Sequence, residues 1–475
     1  MKNFVLACLT ALTVAGCAQN PVTGSTDFVM MSEQDEINLG RQADLQVRKQ
    51  YKIYPDKALQ AYVNEVGQKL AEKSHRNNLT FRFAVLDSTE INAFSLPGGY
   101  VYITRGILAY LNSEAEMAAV LGHEIGHVTA RHGVRQQSAA QAANIGLTVA
   151  SIFVPQVASI AGQNISNIVG TAILSGYGRD HELESDRLGA EYLARSGYDP
   201  QAMIRVVGVL KDQELYDIER AKIEGREPKR YHGVFASHPD ADTRLKQVVG
   251  EAGKYAVAAP RDGRDEYLKQ IAGMDFGENA EEGIVRNNQF LHSDLKIAIQ
   301  YPADWIVHNM PDKLVALSPG GDASILLKMD PKPSGTPADY ARRQAGFMSN
   351  DSVESLEINK LPGAIATYEQ GMLGVIYLNK RAYLLQATAK SRDVFNARRK
   401  AIRESILSFH ALTEEERKQA QPLHVRIMAA REGETYAKLA QHSPLGKQAP
   451  SLLRLMNAQY PNGEPQAGQK LKIIE

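Results

Sequence analysis

The sequence predicts a multidomain α+β protein whose N-terminal half is mainly α-helical. The chain has 475 residues, which is enough for about three domains. Apolar residues recur at helical spacing in residues 32–70 and 117–128, whereas residues 291–412 contain short runs typical of strands. The formal net charge is zero, so electrostatics give no reason to expect nucleic-acid binding.

The first sixteen residues are predicted to be a signal peptide. A short basic start precedes residues 4–15, an apolar stretch too short to span a membrane as a mature helix. Residues 14–17 read Val-Ala-Gly-Cys and resemble a bacterial lipobox. That resemblance implies cleavage before Cys17 and lipidation of Cys17. The alternative is an ordinary signal peptide that happens to contain a cysteine.

Residues 17–31 are polar and are predicted to form a lipidated tether. Ala18 follows Cys17, and the absence of aspartate there resembles outer-membrane rather than inner-membrane sorting. We therefore expect a periplasmic protein anchored to the outer membrane. Cys8 would leave with the signal and Cys17 would be lipidated, so no thiolate would be left to bind a metal. A metal site would have to use His, Asp and Glu.

Residues 32–104 are predicted to form helix, strand and turn. Residues 32–70 are expected to be helical, and residues 80–87 alternate as a strand does. The turn at residues 96–99 leads into a strand at residues 100–103. A strand beside a cleft could bind an extended peptide through its backbone. The candidate substrate-binding residues are Asn92, Ala93, Phe94, Gly98, Gly99 and Tyr100.

Residues 123–127, His-Glu-Ile-Gly-His, are the most informative stretch of the sequence. Two histidines four residues apart lie on one face of a helix, where both can bind one zinc ion. Glu124 is turned about 100° from His123 and can act on a water molecule at the metal. Ser113, with glutamate three residues later, predicts the helix start. The alternative is a surface helix carrying two hydrogen-bonded histidines.

A catalytic zinc site needs a third protein ligand. The metzincin pattern requires glycine three and histidine six residues after His127, but those positions hold Ala130 and Gly133. On a continuous helix, His132 would lie about 140° from His127, so a structural role is expected for it.

Residues 181–189 offer the missing ligand. Glu182 and Asp186 share one helix face, whereas Glu184 points nearly opposite. One acid could bind the metal while the other supports a histidine. The alternative is a solvated, acidic helix start.

Taken in order, these motifs resemble the zinc metalloproteases of the HtpX, Ste-type and BepA-like group. The resemblance covers about residues 18–250 and rests on four motifs. They are Asn-Pro-Val-Thr-Gly at 20–24, N-A-F-x-x-P-G-G at 92–99, the motif helix with Arg-His-Gly at 131–133, and E-x-E-x-D-x-x-G at 182–189.

The resemblance implies a gluzincin domain with a small β-sheet at residues 32–250. It implies one Zn²⁺ bound by His123, His127 and Glu182, with Glu124 as general base and Asp186 as a supporting residue. The chain would then be a metalloendopeptidase acting in quality control of misfolded or stalled outer-membrane proteins, in contact with the outer-membrane assembly machinery. The alternative is a non-proteolytic envelope chaperone or a cell-wall-binding scaffold.

Two further positions resemble the family. His238, in Ser-His-Pro, is predicted to approach the zinc as a gate or transition-state contact, and Arg244 to pair with an acid such as Asp186. The alternative for His238 is a loop histidine before a turn-forming proline. Residues 136–178 carry no charged side chain and are predicted to form two buried or lid-like helices, with membrane contact as the alternative.

The C-terminal half is divided into three parts. Residues 251–290 are predicted to be a linker, and residues 291–412 an α+β domain, with Trp305 in its core, that resembles PsbP/Mog-like domains. Residues 413–475 resemble a LysM-like βααβ module, which implies binding to peptidoglycan. The alternative is a docking module that has lost its ligand.

Overall fold

The computed structural model describes most of the chain and divides it into two units. The described residues are 17–29, 31–139, 178–224, 228, 250, 254–255, 257–286, 288–310, 313–331, 333–345 and 353–475. The first unit comprises Met1–Glu219, Lys229–Met274 and His424–Glu475, and the second comprises Arg220–Pro228 and Asp275–Leu423. The predicted signal peptide and most of the charge-free segment lie outside the described residues. Over the described part of the chain, no helix is both long and apolar enough to cross a membrane.

The first unit begins with a β-hairpin in the segment predicted to be a tether. Strand β1 (Cys17–Gln19) pairs antiparallel with β2 (Thr26–Phe28). The side chain of Asn20 holds the turn between them, because its Oδ1 accepts hydrogen bonds from two backbone N–H groups. Its Nδ2 donates to Asp27 at 2.7 Å. Residues 17–28 therefore have a defined backbone conformation.

Two helices follow where one was predicted. Helix α1 (Glu33–Gln50) begins at Ser32, whose side chain caps it as expected. Helix α2 (Lys57–Ala71) begins at Asp56, whose Oδ1 accepts from two backbone N–H groups. The break falls beside Pro55, because proline disfavours a helical residue before it and lacks the N–H that a helix interior needs.

A three-stranded sheet lies next in the chain. Strands β3 (Arg82–Leu86), β4 (Ala93–Leu96) and β5 (Tyr100–Thr104) have the order β3-β5-β4. β3 is parallel to β5, and β4 is antiparallel to β5. β4 is thus an edge strand of this sheet. A short helix, α3 (Arg105–Leu108), follows directly.

Two helices cross closely behind this sheet. Helix α4 (Glu114–Thr129) is buried along its whole length, and Ser113 caps it as predicted. Helix α5 (Arg179–Arg195) packs against α4. A Cβ on Gly126 would lie 3.0 Å from the Ser185 backbone, so glycine is what permits this approach. Helices α6 (Ala202–Glu224) and α7 (Arg264–Ile271) follow, and α7 lies within the predicted linker.

The second unit is built on two antiparallel sheets. The elements after β6 (Asp275–Phe276) are β7 (Ile284–Arg286), β8 (Gln289–His292), β9 (Ile297–Gln300), β10 (Ile306–Met310), β11 (Lys313–Leu317), β12 (Ala323–Asp330), α8 (Pro337–Ala345), β13 (Val353–Ile358), β14 (Leu361–Tyr368), β15 (Gly371–Leu378), β16 (Arg381–Ala389), α9 (Arg392–Leu407), β17 (His410–Ala411) and α10 (Glu414–Gln419). The first sheet has seven strands in the order β10-β11-β12-β16-β15-β14-β13, and the second has four in the order β17-β9-β8-β7. Trp305 is buried in the core under helix α9, as predicted.

The last segment of the chain returns to the first unit. It consists of β18 (Leu423–Ala429), α11 (Tyr436–Ala440), α12 (Ala449–Met456) and β19 (Lys470–Ile474), with β18 antiparallel to β19. This is the strand–helix–helix–strand order expected for residues 413–475, and a LysM relationship stays a prediction. Lys472 is fully buried, and its Nζ donates to the carbonyl oxygens of Ala109 (2.9 Å) and Leu111 (2.6 Å). The mixed α+β class is confirmed, while the domain boundaries stay predictions.

Candidate metal centre

The structure brings three buried side chains together: His123, His127 and Glu182. One donor atom from each lies within 4.8 Å of the others. The two histidine Nε2 atoms are 3.0 Å apart. The Glu182 oxygens lie 3.4 Å from His123 Nε2 and 3.3 Å from His127 Nε2. These are the three residues predicted to bind the metal.

This donor set fits a zinc ion. Nitrogen and oxygen ligands placed about 2.0–2.1 Å from a tetrahedral zinc lie roughly 3.3 Å from one another, close to the three separations here. Two imidazoles and one carboxylate, with one position left for water, are typical of catalytic zinc sites. Among the residues that the structure describes, this is the one group of three or more His, Cys, Asp or Glu side chains that could share an ion.

Helices α4 and α5 position the three donors. His123 and His127 lie one turn apart on α4, and Glu182 lies in the first turn of α5. Asp186, one turn further along α5, has its Oδ1 2.8 Å from His123 Nδ1. The Nδ1 of His123 therefore contacts a carboxylate while its Nε2 faces the other two donors. This geometry is consistent with the supporting role predicted for Asp186.

Glu124 lies beside the donors and contacts the edge strand. It is 1 % exposed, and the hydroxyl of Ser95 on β4 donates to its Oε2 at 2.9 Å. The hydrogen bond fixes the direction of the carboxylate. It also brings the edge strand next to the predicted general base.

His132 lies against His127, which the sequence did not indicate. Helix α4 ends at Thr129, and Arg131 has φ of 56°, a left-handed conformation that redirects the chain. The two Nδ1 atoms of His127 and His132 are therefore only 2.8 Å apart. His132 Nε2 in turn lies 3.0 Å from Glu184 Oε2. A structural role for His132, as expected from the sequence, is compatible with this position. The angle of 140° predicted between His127 and His132 does not apply, because the helix ends before His132.

A buried ion-pair network fixes the end of α4. Glu36 of α1 is fully buried, and its two oxygens contact Arg76 Nη1 at 2.6 Å and Arg131 Nε at 2.8 Å. Arg131 Nη2 also donates to the carbonyl oxygen of Met31. Two guanidinium groups around one carboxylate offset the cost of burying it. The network holds Arg131 in the conformation that turns His132 towards the site.

Burial and neighbouring charges set the protonation states. Burial lowers the pKa of His127 well below its usual value, and the nearby Glu182 carboxylate opposes this only in part. A neutral imidazole is the form that binds a metal. For Glu184, burial raises the pKa, but hydrogen bonds from His132 and Arg135 outweigh it and bring the pKa to about 2. Glu184 is therefore ionised at neutral pH.

A small, partly open cleft lies beside the donors. Its walls include Ser95, Pro97, His127 and Arg131. The cleft thus runs from the end of the edge strand to one of the predicted metal ligands.

The predicted substrate-binding residues differ in where they lie. Ala93 and Phe94 are in the edge strand, and Asn92 precedes it. Gly98 and Gly99 form the turn after it with φ of 76° and 93°. Side chains there would collide with the backbone of Ile37 or Thr80, so both glycines have a clear structural reason. Tyr100 is buried under Arg82.

Three predicted residues are described incompletely or not at all. His238 and Arg244 lie outside the described residues. For Cys17 only the backbone is described, as part of β1. Their predicted roles stay predictions.

Sequence reasoning did not single out Ser95, and it gave no site role to His132 or Glu184. For Ser95 the usable signal was its place in the strand expected beside the cleft. His132 and Glu184 belong to the motifs at 131–133 and 182–189, but their contacts depend on the break after α4 and on the packing of α5.

The helix with its H-E-x-x-H motif and the glutamate as third donor form the kind of site that metallopeptidases use. Comparison with known families agrees, because residues 57–252 match the family described as "Peptidase family M48". This match confirms the resemblance of this part of the chain to zinc metalloproteases.

Similar proteins carry related names. A β-barrel assembly-enhancing protease of Escherichia coli (strain K12) is 28% identical over 284 residues, covering 56% of this chain and 55% of that protein. The mitochondrial metalloendopeptidase OMA1 of Arabidopsis thaliana is 27% identical over 161 residues, covering 33% and 31%. The metalloprotease YcaL of Escherichia coli (strain K12) is 25% identical over 190 residues, covering 39% and 69%. The chain spans about half the length of the assembly-enhancing proteases it matches.

Among solved structures, a cyanobacterial PsbP (CyanoP) from Synechocystis sp. PCC 6803 is 15% identical, with a TM-score of 0.22. The match covers 28% of this chain and 98% of that one. A PsbP relationship of residues 291–412 stays a prediction.

Proposed function

We propose that the chain is a zinc-dependent endopeptidase that cleaves proteins of the bacterial envelope. One observation carries the proposal: a buried His-His-Glu donor set lies directly beside Glu124 on a helix of the metallopeptidase type. His123, His127 and Glu182 would hold the zinc ion. Such a site does the chemistry of peptide hydrolysis and needs no further cofactor.

The reaction divides between the metal and the protein. When bound, zinc polarises the peptide carbonyl and makes water more acidic. Glu124 takes a proton from the attacking water and passes it to the leaving amine. The Ser95 hydroxyl keeps the Glu124 carboxylate aimed at that water. Asp186 accepts the Nδ1 proton of His123, so that the opposite nitrogen is free to bind.

The edge strand β4 is suited to hold the substrate. One side of β4 pairs with β5, and Ser95 within it contacts the general base. An extended peptide that added as a further strand would run past Glu124. Main-chain pairing favours extended or unfolded segments over folded ones. This supports misfolded or unassembled proteins as substrates.

The names of the similar proteins suggest a more specific class of substrates. Several are called β-barrel assembly-enhancing proteases, so we propose outer-membrane proteins that have stalled during assembly as substrates, and the assembly machinery as a partner. The lipobox-like residues 14–17 support a lipid anchor at Cys17 and a periplasmic site at the outer membrane. Cys17→Ser should then release the protein from the membrane fraction, whereas Cys8→Ser should not affect the anchor. Equal membrane retention of Cys17→Ser and the parent would contradict the anchor.

Activity is tested with the purified mature chain and unfolded casein. Glu124→Gln keeps the shape of the side chain but cannot accept the proton, so we expect cleavage to fall by at least about 100-fold. Glu191→Gln on α5 is the matched control, because Glu191 pairs with Arg195 rather than with the donors. Removal of the metal with a chelator should also abolish cleavage, and zinc should restore it.

Equal cleavage by the parent, Glu124→Gln and the chelated protein would refute the proposal. Full complementation of a deletion strain by Glu124→Gln would instead favour the chaperone or scaffold function. Glycan binding by residues 413–475 is tested separately with isolated peptidoglycan. If that module binds glycan, substitution of the exposed residues of α11, with Lys472 left intact, should reduce the amount of protein retained on peptidoglycan.

A further inference from the structure

The two histidines of the metal centre use their Nδ1 atoms differently. His123 Nδ1 contacts a carboxylate directly, that of Asp186, at 2.8 Å. His127 Nδ1 instead contacts the Nδ1 of another imidazole, that of His132, at 2.8 Å. His132 then reaches a carboxylate of its own, because its Nε2 lies 3.0 Å from Glu184. An imidazole is thus interposed on one side of the centre and not on the other.

Only one arrangement of protons satisfies this chain of contacts once a metal is bound. The Nε2 of His127 must be unprotonated to bind a metal, so its proton lies on Nδ1 and is donated to His132. His132 Nδ1 then accepts, and its own proton lies on Nε2 and is donated to Glu184. The Ser185 hydroxyl, 3.4 Å from the same His132 Nδ1, can also donate to it and so is compatible with this arrangement. The relay therefore fixes the tautomer of His127 that exposes Nε2 to the site.

The relay is held rigidly by its surroundings. His132 is fully buried, and the ring of His181 stacks on it with centroids 4.2 Å apart and planes 17° from parallel. Arg135 Nη1 contacts Glu184 at 3.1 Å, and Arg135 Nε lies 3.5 Å from Asp27 of β2. Movement of the His132 ring would disturb the stacking and both hydrogen bonds. Groups fixed in this way orient a metal ligand.

We propose that His132 and Glu184 are positioning residues for the metal ligand His127. They hold its imidazole in the orientation and tautomer that bind zinc, and they do not touch the substrate. The inference rests on the proposed function only in that the centre binds zinc. It does not depend on which protein is cleaved.

The test measures zinc affinity of the purified full chain by competition with a chromophoric chelator. His132→Phe keeps a ring of similar size but cannot hydrogen bond, and we expect zinc affinity to fall roughly 10–100-fold. His132→Gln can accept from His127 and donate to Glu184, so its affinity should stay within about threefold of the parent. Glu191→Gln on the same helix as Glu184 is the control and should be unchanged.

A second readout excludes a merely structural effect. Co²⁺ substitution should give an altered visible spectrum in His132→Phe and a parent-like spectrum in His132→Gln, because the spectrum reports ligand geometry. Circular dichroism of the metal-free proteins shows whether each is folded. If His132→Phe does not fold, Glu184→Leu takes its place, since Glu184 is partly exposed and its loss removes the carboxylate that His132 Nε2 contacts at 3.0 Å. We expect a several-fold loss of zinc affinity for Glu184→Leu.

If His132→Phe folds and binds zinc as tightly as the parent, the inference is overturned. If His132→Phe does not fold, parent-like zinc affinity of Glu184→Leu overturns it. A parent chain that binds no zinc would overturn both this inference and the proposed function. A parent chain that binds zinc but cleaves no casein would count against the proposed function alone. The two failures are therefore separate.

Discussion

The closest approach of the helices that carry the metal ligands occurs at Gly126. A Cβ placed there would lie 3.0 Å from both Cα and O of Ser185 on α5. Those atoms belong to the backbone, so they cannot rotate away as a side chain could. Gly126→Ala must therefore push α4 and α5 apart by a few tenths of an ångström. This is also where His127 Nε2 and Glu182 are 3.3 Å apart.

The expected magnitude follows from two opposing effects. Replacing glycine by alanine in a helix interior stabilises by about 1 kcal/mol. Overpacking a tightly packed contact costs about 1–3 kcal/mol. Gly126→Ala should therefore change the stability of α4 by between about 0 and −2 kcal/mol. Gly208→Ala on α6 is the matched control, because among the described residues no atom outside the neighbouring backbone of its own helix lies within 4 Å of an added Cβ. It should stabilise by about 1 kcal/mol.

Hydrogen exchange with mass spectrometry is a suitable assay, because it reports the opening free energy of each helix separately. Peptides from α4 and α5 should exchange faster in Gly126→Ala than in Gly208→Ala, by a factor that corresponds to at most about 2 kcal/mol, because Gly208→Ala leaves α4 as it is in the parent. Trp305 lies in the core of the second unit, so its fluorescence during urea unfolding is an internal control. If Gly126→Ala protected α4 as much as Gly208→Ala protects α6, the close helix contact would not limit this site.

Three further predictions concern other parts of the first unit. Lys472→Met leaves two buried carbonyl groups without a donor and should lower the stability of the first unit by about 2–4 kcal/mol in urea unfolding; no change would contradict the docking of β19. Burial raises the pKa of Glu114, but hydrogen bonds from Arg261 and two tyrosines outweigh burial, and the net pKa is lowered. The ionised Glu114 therefore stabilises the folded state above pH 4.5, and this contribution is lost as the pH falls below that value. Glu114→Gln should therefore flatten the decline of thermal stability below pH 4.5, and an unchanged slope would count against it. Ser95→Ala should lower kcat for casein roughly tenfold with little change in KM, because it removes a hydrogen bond that orients the Glu124 carboxylate. Ser95→Thr should retain activity, and equal kcat in both variants would exclude this role.

Local signals in the sequence were sufficient wherever a short-range rule decides the structure. Ser32 and Ser113 cap helices as expected, because capping depends on a side chain and the next three residues. The helical spacing of His123 and His127 placed both on one face, which depends only on the period of the helix. Glu182 came from a resemblance covering the whole N-terminal half, and the structure places it beside both histidines.

The sequence was insufficient where the chain direction changes or distant segments meet. His132 could not be placed, because one left-handed residue, Arg131, invalidates the angle expected from a continuous helix. Ser95 contacts Glu124 only because the sheet packs β4 against α4. Nothing in the sequence indicated that Lys472 is buried, since a buried lysine is rare and its partners here are far away in sequence.

The position of Lys472 limits how early during synthesis the first unit can fold completely. Its two carbonyl partners precede it by 363 and 361 residues. At about 5–20 residues per second, a ribosome needs roughly 20–70 s to synthesise that interval. During this time the segment before α4 has no donor from β19. The nascent chain therefore contains the residues of the metal centre well before the first unit can fold completely.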